Sequence, residues 1–234
     1  MPAEIIAKIK EVIQRNYNVK SIRLEIPGVL DFKAGQFLSV KLQNNPQLKR
    51  YLSISSSPTE LGYLEFTKKL TESDFSKSLN NLAAGDQVTI QYPFGKFVLD
   101  ETFPKIAFLS GGIGITPIRS ICKYVVDKNL GLDIVLVYAN RSVKDVVFKD
   151  DFDALVKSYS ALRVAHVLCE TEPGFACTVG RINSEVIKNE IPDYRTRKFY
   201  LCGPPQMVEA MRKMLAEDLG LPVERIVTEN FQGY

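Results

Sequence analysis

The stretch Ala107-Phe108-Leu109-Ser110-Gly111-Gly112-Ile113-Gly114-Ile115-Thr116-Pro117 has the composition of a buried strand, a glycine-rich turn and the start of a helix. Glycines let a backbone come close to a pyrophosphate, and the free amides at a helix N-terminus favour its negative charge. Pro117 suits the first turn of a helix, but it stands where the third glycine of a G-x-G-x-x-G motif would be. Taken alone, the stretch is as consistent with a structural turn as with a nucleotide site.

The residues around and after this stretch alternate between apolar runs and helical patterns. The runs are Lys105–Leu109, Asp133–Tyr138, Arg163–Leu168, Lys198–Leu201 and Arg225–Thr228, and the helical patterns between them are Ile115–Lys128, Lys149–Tyr159, Ile182–Asn189 and Pro205–Leu219. Runs that are apolar throughout, with helices between them, indicate a parallel sheet covered on both faces. The sequence therefore predicts an α/β domain with a five-stranded parallel sheet over residues 101–234.

Residues 1–100 have a different pattern, one of short strands separated by turn residues. The predicted strands are Ala7–Val12, Ile22–Ile26, Gln36–Leu42, Tyr51–Ser55, Tyr63–Lys69 and Gln87–Tyr92, and one helix is predicted at Phe75–Leu82. Six strands at this spacing favour a closed antiparallel barrel, since closure removes exposed sheet edges. We expect the domain boundary near residue 100.

Composition and charge are those of an ordinary globular protein. The chain has 234 residues, 45% of them apolar, and its net charge of +3 is too small to argue for nucleic acid. Lysine and arginine pairs such as Lys49-Arg50 leave an acidic protein partner possible. No apolar run approaches the roughly 20 residues of a membrane span, and the first residues show no signal-peptide pattern, so we expect a cytoplasmic protein.

The cysteines and the single histidine limit the kinds of catalytic and metal site that the sequence supports. Cys122, Cys169, Cys177 and Cys202 form no C-x-x-C pair, and their spacing suits neither zinc nor an iron–sulfur cluster. His166 is the only histidine and sits in an apolar run. Serine–histidine–aspartate hydrolysis and multi-histidine metal chemistry are therefore not favoured.

Four motifs in order make the chain resemble the ferredoxin–NADP reductase superfamily over nearly its whole length. The motif that starts at Arg50 (Arg50-Tyr51-Leu52-Ser53-Ile54-Ser55-Ser56) is similar to the flavin motif R-x-Y-[ST]-x-x-S, and the glycine turn is similar to G-G-x-G-[IV]-[AT]-P. Cys202-Gly203-Pro204-Pro205-Gln206-Met207 is similar to C-G-P-x-x-M, and Glu229-Asn230-Phe231 is similar to a terminal E-x-aromatic. The resemblance implies a six-stranded flavin barrel followed by a parallel-sheet nucleotide domain.

The resemblance also implies site residues. It implies FAD contacts at Arg50, Tyr51, Leu52, Ser53, Phe66, Thr67, Lys68, Ser73, Phe75, Ser76, Thr116, Phe231 and Tyr234. It implies NAD(P) contacts at Gly111, Gly112, Gly114, Thr116, Asn140, Arg141, Cys202, Gly203, Pro204 and Met207. Ser53, Cys202 and Glu229 are the candidate catalytic residues.

Each implied role has a physical basis. Arg50 suits the flavin pyrophosphate because a guanidinium makes paired hydrogen bonds to phosphate and stays charged. Ser53 would lie beside flavin N5, Cys202 would line the nicotinamide pocket, and Glu229 would relay a proton or orient a group. Phe231 would cover the flavin ring, and Tyr234 would reach the ring's edge or the FAD adenine.

Two positions depart from the family pattern. Leu52 replaces an aromatic residue that packs on the isoalloxazine, so Tyr51 is a possible substitute. Ser73 replaces a glycine of the pyrophosphate segment, and a plain helix cap is an equally good interpretation of that serine.

The resemblance implies hydride transfer from NADH or NADPH to FAD, followed by electron transfer to a small carrier protein such as a ferredoxin. A reductase of a small acceptor (free flavin, a quinone or iron) and a flavin subunit of a larger complex are the alternatives. Arg141 and Ser142 could hold the 2′-phosphate of NADPH, whereas the longer segment 140–150 is similar to relatives that use NADH. The sequence favours NADH by a narrow margin.

Overall fold

The computed structural model describes residues 2–26, 31–43 and 45–230. Its first part is a six-stranded antiparallel sheet with the order β4-β3-β6-β1-β2-β5. The strands are β1 (Ile5–Asn16), β2 (Val19–Glu25), β3 (Phe37–Leu42), β4 (Asn45–Ser53), β5 (Leu64–Lys69) and β6 (Gln87–Phe94). The Ile54–Phe66 bridge and the bond from Ser55 N–H to Glu65 C=O, 2.8 Å, join the two end strands. The sheet therefore closes into the expected barrel.

The barrel interior is filled by alternate side chains of the strands and by one helix, α1 (Asp74–Asn80). Phe75 and Leu79 of α1 are fully buried among strand residues such as Leu38 and Phe66. An aromatic and an aliphatic side chain buried completely contribute roughly 1.5–3 kcal/mol each. This packing fixes α1 against β3 and β4.

The second part is a parallel sheet with the order β10-β9-β8-β7-β11-β12. Its strands are β7 (Lys105–Gly111), β8 (Asp133–Asn140), β9 (Leu162–Leu168), β10 (Thr178–Val179), β11 (Lys198–Gly203) and β12 (Ile226–Asn230). Its helices are α2 (Ile115–Lys128), α3 (Lys149–Ser158), α4 (Ser184–Glu190) and α5 (Pro205–Lys213). The two-domain fold predicted from the sequence is confirmed.

The sheet has one strand more than the five predicted. The additional strand, β10, has only two residues, which pair with Val167 and Leu168 at the edge of the sheet. A two-residue strand has no apolar run of its own, so no periodicity could reveal it.

Strand order places a crevice at the centre of the sheet. β7 lies between β8 and β11. β8 directly follows β7 in the chain, whereas β11 comes only after β8, β9 and the short β10. After β7 the chain continues to β8 on one side of the sheet, and after β11 it continues to β12 on the other side. Open α/β sheets bind ligands at such a switch point. The glycine-rich turn follows β7 at this point.

Within the described ranges, no helix is both long enough and apolar enough to cross a membrane.

Candidate functional site

The glycines of the turn have two different functions. A Cβ on Gly111 would lie 2.2 Å from Met207 Sδ, and a Cβ on Gly114 would lie 2.3 Å from the Cys202 carbonyl oxygen. These two glycines therefore allow the turn to pack on β11 and the start of α5. Gly112 differs, because its φ of +52° suits glycine and a Cβ there would meet nothing within 4 Å. Gly112 thus presents its backbone to open space.

That open space is a cleft of about 850 Å³ along the carboxyl edge of the sheet, here called the sheet-edge cleft. From the predicted nucleotide set, Gly111, Gly112, Asn140, Arg141, Pro204 and Met207 line it. Gly114, Thr116, Cys202 and Gly203 are not among the lining residues; a Cβ on Gly203 would lie 3.1 Å from Gly111 N. The cleft also has a wall that the sequence did not indicate, formed by Asn16–Val19 and Lys69 of the barrel.

One end of the cleft lies at the carboxyl ends of β8 and β9. Asn140 is 8% exposed, and neither of its amide atoms makes a hydrogen bond within the described part of the chain, although it lies near the Tyr138 hydroxyl. Arg141 is exposed and paired with Glu170 at 2.8 Å. A buried amide without partners is costly, so Asn140 is suited to hydrogen-bond a ligand in the cleft.

Asp145 adds a second carboxylate at this end. Its Oδ2 accepts from the Ser142 hydroxyl at 2.9 Å, and its Oδ1 accepts from the Tyr17 hydroxyl at 2.6 Å. Burial opposes ionisation, but these two hydroxyls hold the pKa of Asp145 below its usual value. Asp145 is therefore an anion at neutral pH. Sequence reasoning missed Asp145, Glu170 and Tyr17, because no motif marks them.

Cys202 and Glu229 are neighbours on adjacent strands at the other side of the sheet. The β11–β12 register pairs the two residues directly. Cys202 is fully buried, and burial, with Glu229 nearby, raises the pKa of its thiol. Burial also raises the pKa of Glu229 to about 7. This pair therefore consists of a neutral thiol and a carboxyl that exchanges a proton near neutral pH.

Thr116 is buried at the first turn of α2, and its hydroxyl donates to the Ile113 carbonyl at 3.1 Å. The hydroxyl thus braces the glycine turn. A direct contact of Thr116 with flavin or nicotinamide stays a prediction.

Arg50 of β4 and the start of α1 meet at one end of the barrel. The guanidinium of Arg50 lies 5.5 Å from the Phe75 ring centre. Burial lowers the pKa of Lys68 in β5, and the charges of Arg50 and Lys69 lower it further. Lys68 is therefore close to Arg50. Cations from two strands therefore converge beside α1, where an anion would be stabilised.

Ser73 is the N-cap of α1. Its hydroxyl accepts from the Ser76 backbone N–H at 3.3 Å and lies 3.1 Å from the Ser76 hydroxyl. The helix-cap interpretation of Ser73 therefore describes its contacts in this structure. Whether Ser73 and Ser76 also contact a phosphate stays a prediction.

Side chains alternate between the two faces of β4, so Tyr51 and Arg50 lie on opposite faces. Tyr51 is 59% exposed, and its ring lies 5.8 Å from Phe37 and 6.1 Å from Phe94. Arg50 instead points to Phe75. Tyr51 thus lies on the opposite face of the strand from Arg50 and Leu52, and the suggestion that it substitutes for the missing aromatic gains no support from these contacts.

The remaining predicted flavin residues lie along the junction of β4 and β5. Ser53 is 4% exposed and Phe66 is fully buried in the barrel core. The Thr67 hydroxyl is within 2.7 Å of the Ser21 hydroxyl and 2.8 Å of the Ser55 hydroxyl. Because side chains alternate along β5, Thr67 points to the opposite face from Phe66 and joins a buried cluster of hydroxyls outside the apolar barrel core. Phe231 and Tyr234 lie outside the described residues.

A buried ionic network joins this junction to α2. Arg119 is 5% exposed; it donates to Glu60 Oε1 at 3.0 Å, to Asp151 Oδ1 at 2.7 Å and to the Ser55 carbonyl at 3.2 Å. Although burial opposes it, the two carboxylates raise the pKa of Arg119. The network fixes the sheet domain to the barrel, and sequence reasoning missed it because its members are far apart in the chain.

Arg15 extends the same network from the barrel side. It pairs with Glu65 at 3.0 Å and lies 3.5 Å from Asp151. The Phe148 ring contacts the guanidinium groups of Arg15 at 4.8 Å and Arg119 at 5.8 Å. Among the described residues, no cluster of three histidine, cysteine or acidic side chains could hold a metal ion.

Comparison with known families matches both parts of the chain. Residues 5–99 match the oxidoreductase FAD-binding domain, and residues 108–213 match the oxidoreductase NAD-binding domain.

Two relatives illustrate the sequence similarity. The NADH-cytochrome b5 reductase 1 of Aspergillus terreus is 31% identical over 237 residues, which cover 94% of this chain and 79% of the relative. The glycine betaine monooxygenase reductase subunit of Chromohalobacter salexigens is 28% identical, and the match covers 94% of this chain and 62% of the relative. The chain thus spans less than two thirds of the length of that second relative.

Solved structures share the fold. A ferredoxin reductase in carbazole 1,9a-dioxygenase has a TM-score of 0.87 at 24% identity, covering 98% of this chain and 70% of its own. A ferredoxin NADP+ reductase from Neisseria gonorrhoeae with bound FAD and NADP has a TM-score of 0.85 at 22% identity, covering 97% and 98%.

Proposed function

The chain belongs to the ferredoxin reductase-like family of FAD- and NAD-binding oxidoreductases, and we propose that it takes a hydride from NADH and delivers electrons to an acceptor protein. One observation supports the proposal above all others. The sheet-edge cleft is lined both by the glycine turn and Asn140 of the sheet domain and by Lys69 of the barrel. A nucleotide in the cleft would therefore lie against the flavin domain.

The residues of the cleft fit a dinucleotide. Gly112 offers backbone to open space, and the amide of Asn140 has no hydrogen-bond partner in the described ranges. The volume of about 850 Å³ is that of a cofactor site. We assign the pyrophosphate to Gly111 and Gly112 and the adenosine ribose to Asn140.

The barrel residues fit FAD at its phosphates. Arg50 and Lys68 converge beside the start of α1, and two cations at one place favour a pyrophosphate. When bound, FAD would accept the hydride and release electrons to the acceptor. Ser53, buried at the end of β4, would face the reacting edge of the ring.

Cys202 and Glu229 would shape the nicotinamide end of the site. The neutral thiol of Cys202 provides a small apolar wall that excludes water. The carboxyl of Glu229, with its pKa near 7, would hold or release a proton close to the place of hydride transfer. Their direct register on β11 and β12 keeps the two groups together.

Charge at the adenosine end favours NADH over NADPH. Arg141, the candidate partner of a 2′-phosphate, is paired with Glu170 at 2.8 Å. Asp145 is a second carboxylate lining the same region. The Glu170 carboxylate occupies the guanidinium that a 2′-phosphate would need, whereas the Asp145 carboxylate can accept hydrogen bonds from ribose hydroxyls.

We further propose that the acceptor is a small electron-carrier protein such as a ferredoxin, that the protein works in the cytoplasm and that the domain boundary lies near residue 100. The names of the relatives support a protein acceptor, since they include a cytochrome b5 reductase and a reductase subunit of a monooxygenase. A small-molecule acceptor and a subunit of a larger complex remain the alternatives.

The decisive experiment is the visible spectrum of the purified protein, followed by release and identification of its flavin. We expect a yellow protein with one FAD, which NADH bleaches under anaerobic conditions faster than NADPH does. A colourless protein that does not take up added FAD would refute the proposal. Reduction rates with purified ferredoxin, compared with free flavin and quinones, then identify the acceptor class.

A further inference from the structure

The hairpin between β1 and β2 reaches out of the barrel to the sheet domain. Asn16 and Val19 pair at its end, so Tyr17 and Asn18 form a two-residue turn. Asn16 Nδ2 donates to the Lys144 carbonyl at 3.1 Å, and the Tyr17 hydroxyl donates to Asp145 Oδ1 at 2.6 Å. The tip of the hairpin is therefore held on the segment that follows β8.

Tyr17 has an unusual combination of exposure and fixed position. Its side chain is 67% exposed, although its hydroxyl is bonded to an ionised carboxylate. A charge-assisted hydrogen bond at the ring's far end restrains the ring, while its surface lines the sheet-edge cleft. An aromatic surface that is open, held in place and directed at a cleft is suited to bind a flat ligand.

The position of Tyr17 in the cleft indicates which part of a dinucleotide it would meet. Arg141 at the end of β8 is close enough to affect the ionisation of the Tyr17 hydroxyl, whereas Cys202 lies on β11, beyond β7. From β8 to β11 there are two strand spacings, roughly 10 Å in all. Tyr17 and Arg141 line the cleft and Cys202 does not; because the nicotinamide is assigned to Cys202 and Glu229, the base near Tyr17 is the adenine.

We propose that Tyr17 is an adenine-binding residue supplied by the flavin domain, and that its bond to Asp145 ties this domain to the occupied nucleotide cleft. The proposal rests on the proposed function, because it takes the ligand of the sheet-edge cleft to be NADH. It adds that the adenosine half of the nucleotide is bound by both domains.

The proposal predicts different effects on the two halves of the nucleotide. Stacking of an aromatic pair implies that Tyr17→Ala weakens the binding of an adenine ligand roughly three- to tenfold. Tyr17→Phe keeps the ring and loses only the bond to Asp145, so its effect should be smaller. Nicotinamide mononucleotide, which lacks adenine, should bind equally well to all variants.

The test is calorimetric titration of the oxidised, FAD-loaded protein with ADP-ribose and with nicotinamide mononucleotide. Tyr63→Phe is the matched control, because the Tyr63 hydroxyl also donates to a carboxylate, Glu60 Oε1 at 2.9 Å, while Tyr63 is not among the residues that line the cleft. We expect Tyr63→Phe to bind ADP-ribose like the wild type.

Wild-type affinity for ADP-ribose in Tyr17→Ala would overturn the role of Tyr17 and leave the proposed function intact. A wild-type protein that binds neither ADP-ribose nor NADH would instead overturn the proposed function. Should Tyr17→Ala fail to fold, Tyr17→Leu replaces it, since leucine keeps apolar bulk but cannot stack as an aromatic ring. A Tyr17→Leu affinity equal to that of Tyr17→Phe would also contradict the proposal.

Discussion

Replacing Glu229 with glutamine should change how the stability of the protein depends on pH. Burial raises the pKa of Glu229 from 4.5 to about 7, so between these values the folded state binds a proton that the unfolded state releases. A raised pKa of this kind stabilises the fold fully below pH 4.5, and the contribution is lost as pH rises through 7. Glu229→Gln is uncharged at every pH and has no such dependence.

The size of the effect follows from the two pKa values. A difference of about 2.5 corresponds to a ceiling of about 3.4 kcal/mol, at about 1.36 kcal/mol per pH unit. Glu229 is only partly buried, so solvent screening reduces this to roughly 1.5 kcal/mol. The stability of the wild type relative to Glu229→Gln should therefore fall by roughly 1.5 kcal/mol between pH 5 and pH 8.

The assay is urea unfolding of both FAD-loaded proteins at constant ionic strength and at pH 5, 6, 7 and 8. Only the difference between the two proteins is interpreted, because His166 acts in the opposite direction. Burial, assisted by Lys149, lowers the pKa of His166, so its contribution is gained as pH rises, and it is common to both proteins. Parallel stability profiles would show that Glu229 is solvated like a surface carboxylate and would refute the reasoning.

Three further predictions concern the flavin, the hydride and the domain junction. Arg50→Ala removes a charge-assisted phosphate contact of roughly 1.5–3 kcal/mol, so FAD should dissociate about tenfold or more easily on dilution; unchanged occupancy would place Arg50 outside the site. Cys202→Ala and Ser53→Ala should retain FAD but slow its reduction by NADH in stopped flow, because the donor carbon must be held roughly 3–3.5 Å from the flavin; wild-type rates in both would remove them from the mechanism. Arg119→Met leaves the half-buried Glu60 without its cation and Asp151 with Arg15 alone, and should lower the free energy of unfolding by roughly 3 kcal/mol, as measured by urea unfolding. Arg212→Met, which breaks an exposed pair with Glu209, is the control and should change the stability negligibly; equal effects of the two variants would contradict the importance of the buried network.

The sequence was sufficient where local patterns determine the structure. The apolar run, the glycines and Pro117 predicted a strand, a turn and a helix, and the structure has β7, the turn and α2 in that order. Spacing could not reveal that Gly111 and Gly114 serve packing against Met207 and Cys202 while Gly112 alone is open. That division depends on contacts between segments about 90 residues apart in the chain.

The missed residues are those whose role depends on long-range placement. Tyr17 lies in a hairpin that by itself is an ordinary turn, and only the docking of the hairpin beside Asp145 puts it in the cleft. Glu170 follows β9 and becomes relevant because Arg141, at the end of β8, points to it. A single sequence contains no signal for either pairing, because the partners are 128 residues apart for Tyr17 and Asp145 and 29 residues apart for Arg141 and Glu170.

The buried ionic network explains how the barrel and the sheet domain can keep the spacing that hydride transfer needs. Arg119 lies one helical turn after Thr116, which braces the glycine turn, and it donates to the Ser55 carbonyl, two residues beyond Ser53. One path from the nucleotide turn to the flavin strand thus runs through a guanidinium held by two carboxylates. Because a planar guanidinium has fixed donor directions, it resists both sliding and rotation of α2 on the barrel.

The Tyr17–Asp145 contact at the far end of the cleft restrains the same two domains at a second point, and two separated points restrain relative motion of the domains more than either alone. In the proposed function, the alignment of nicotinamide and flavin would therefore depend on the domain interface as much as on the residues that touch the cofactors.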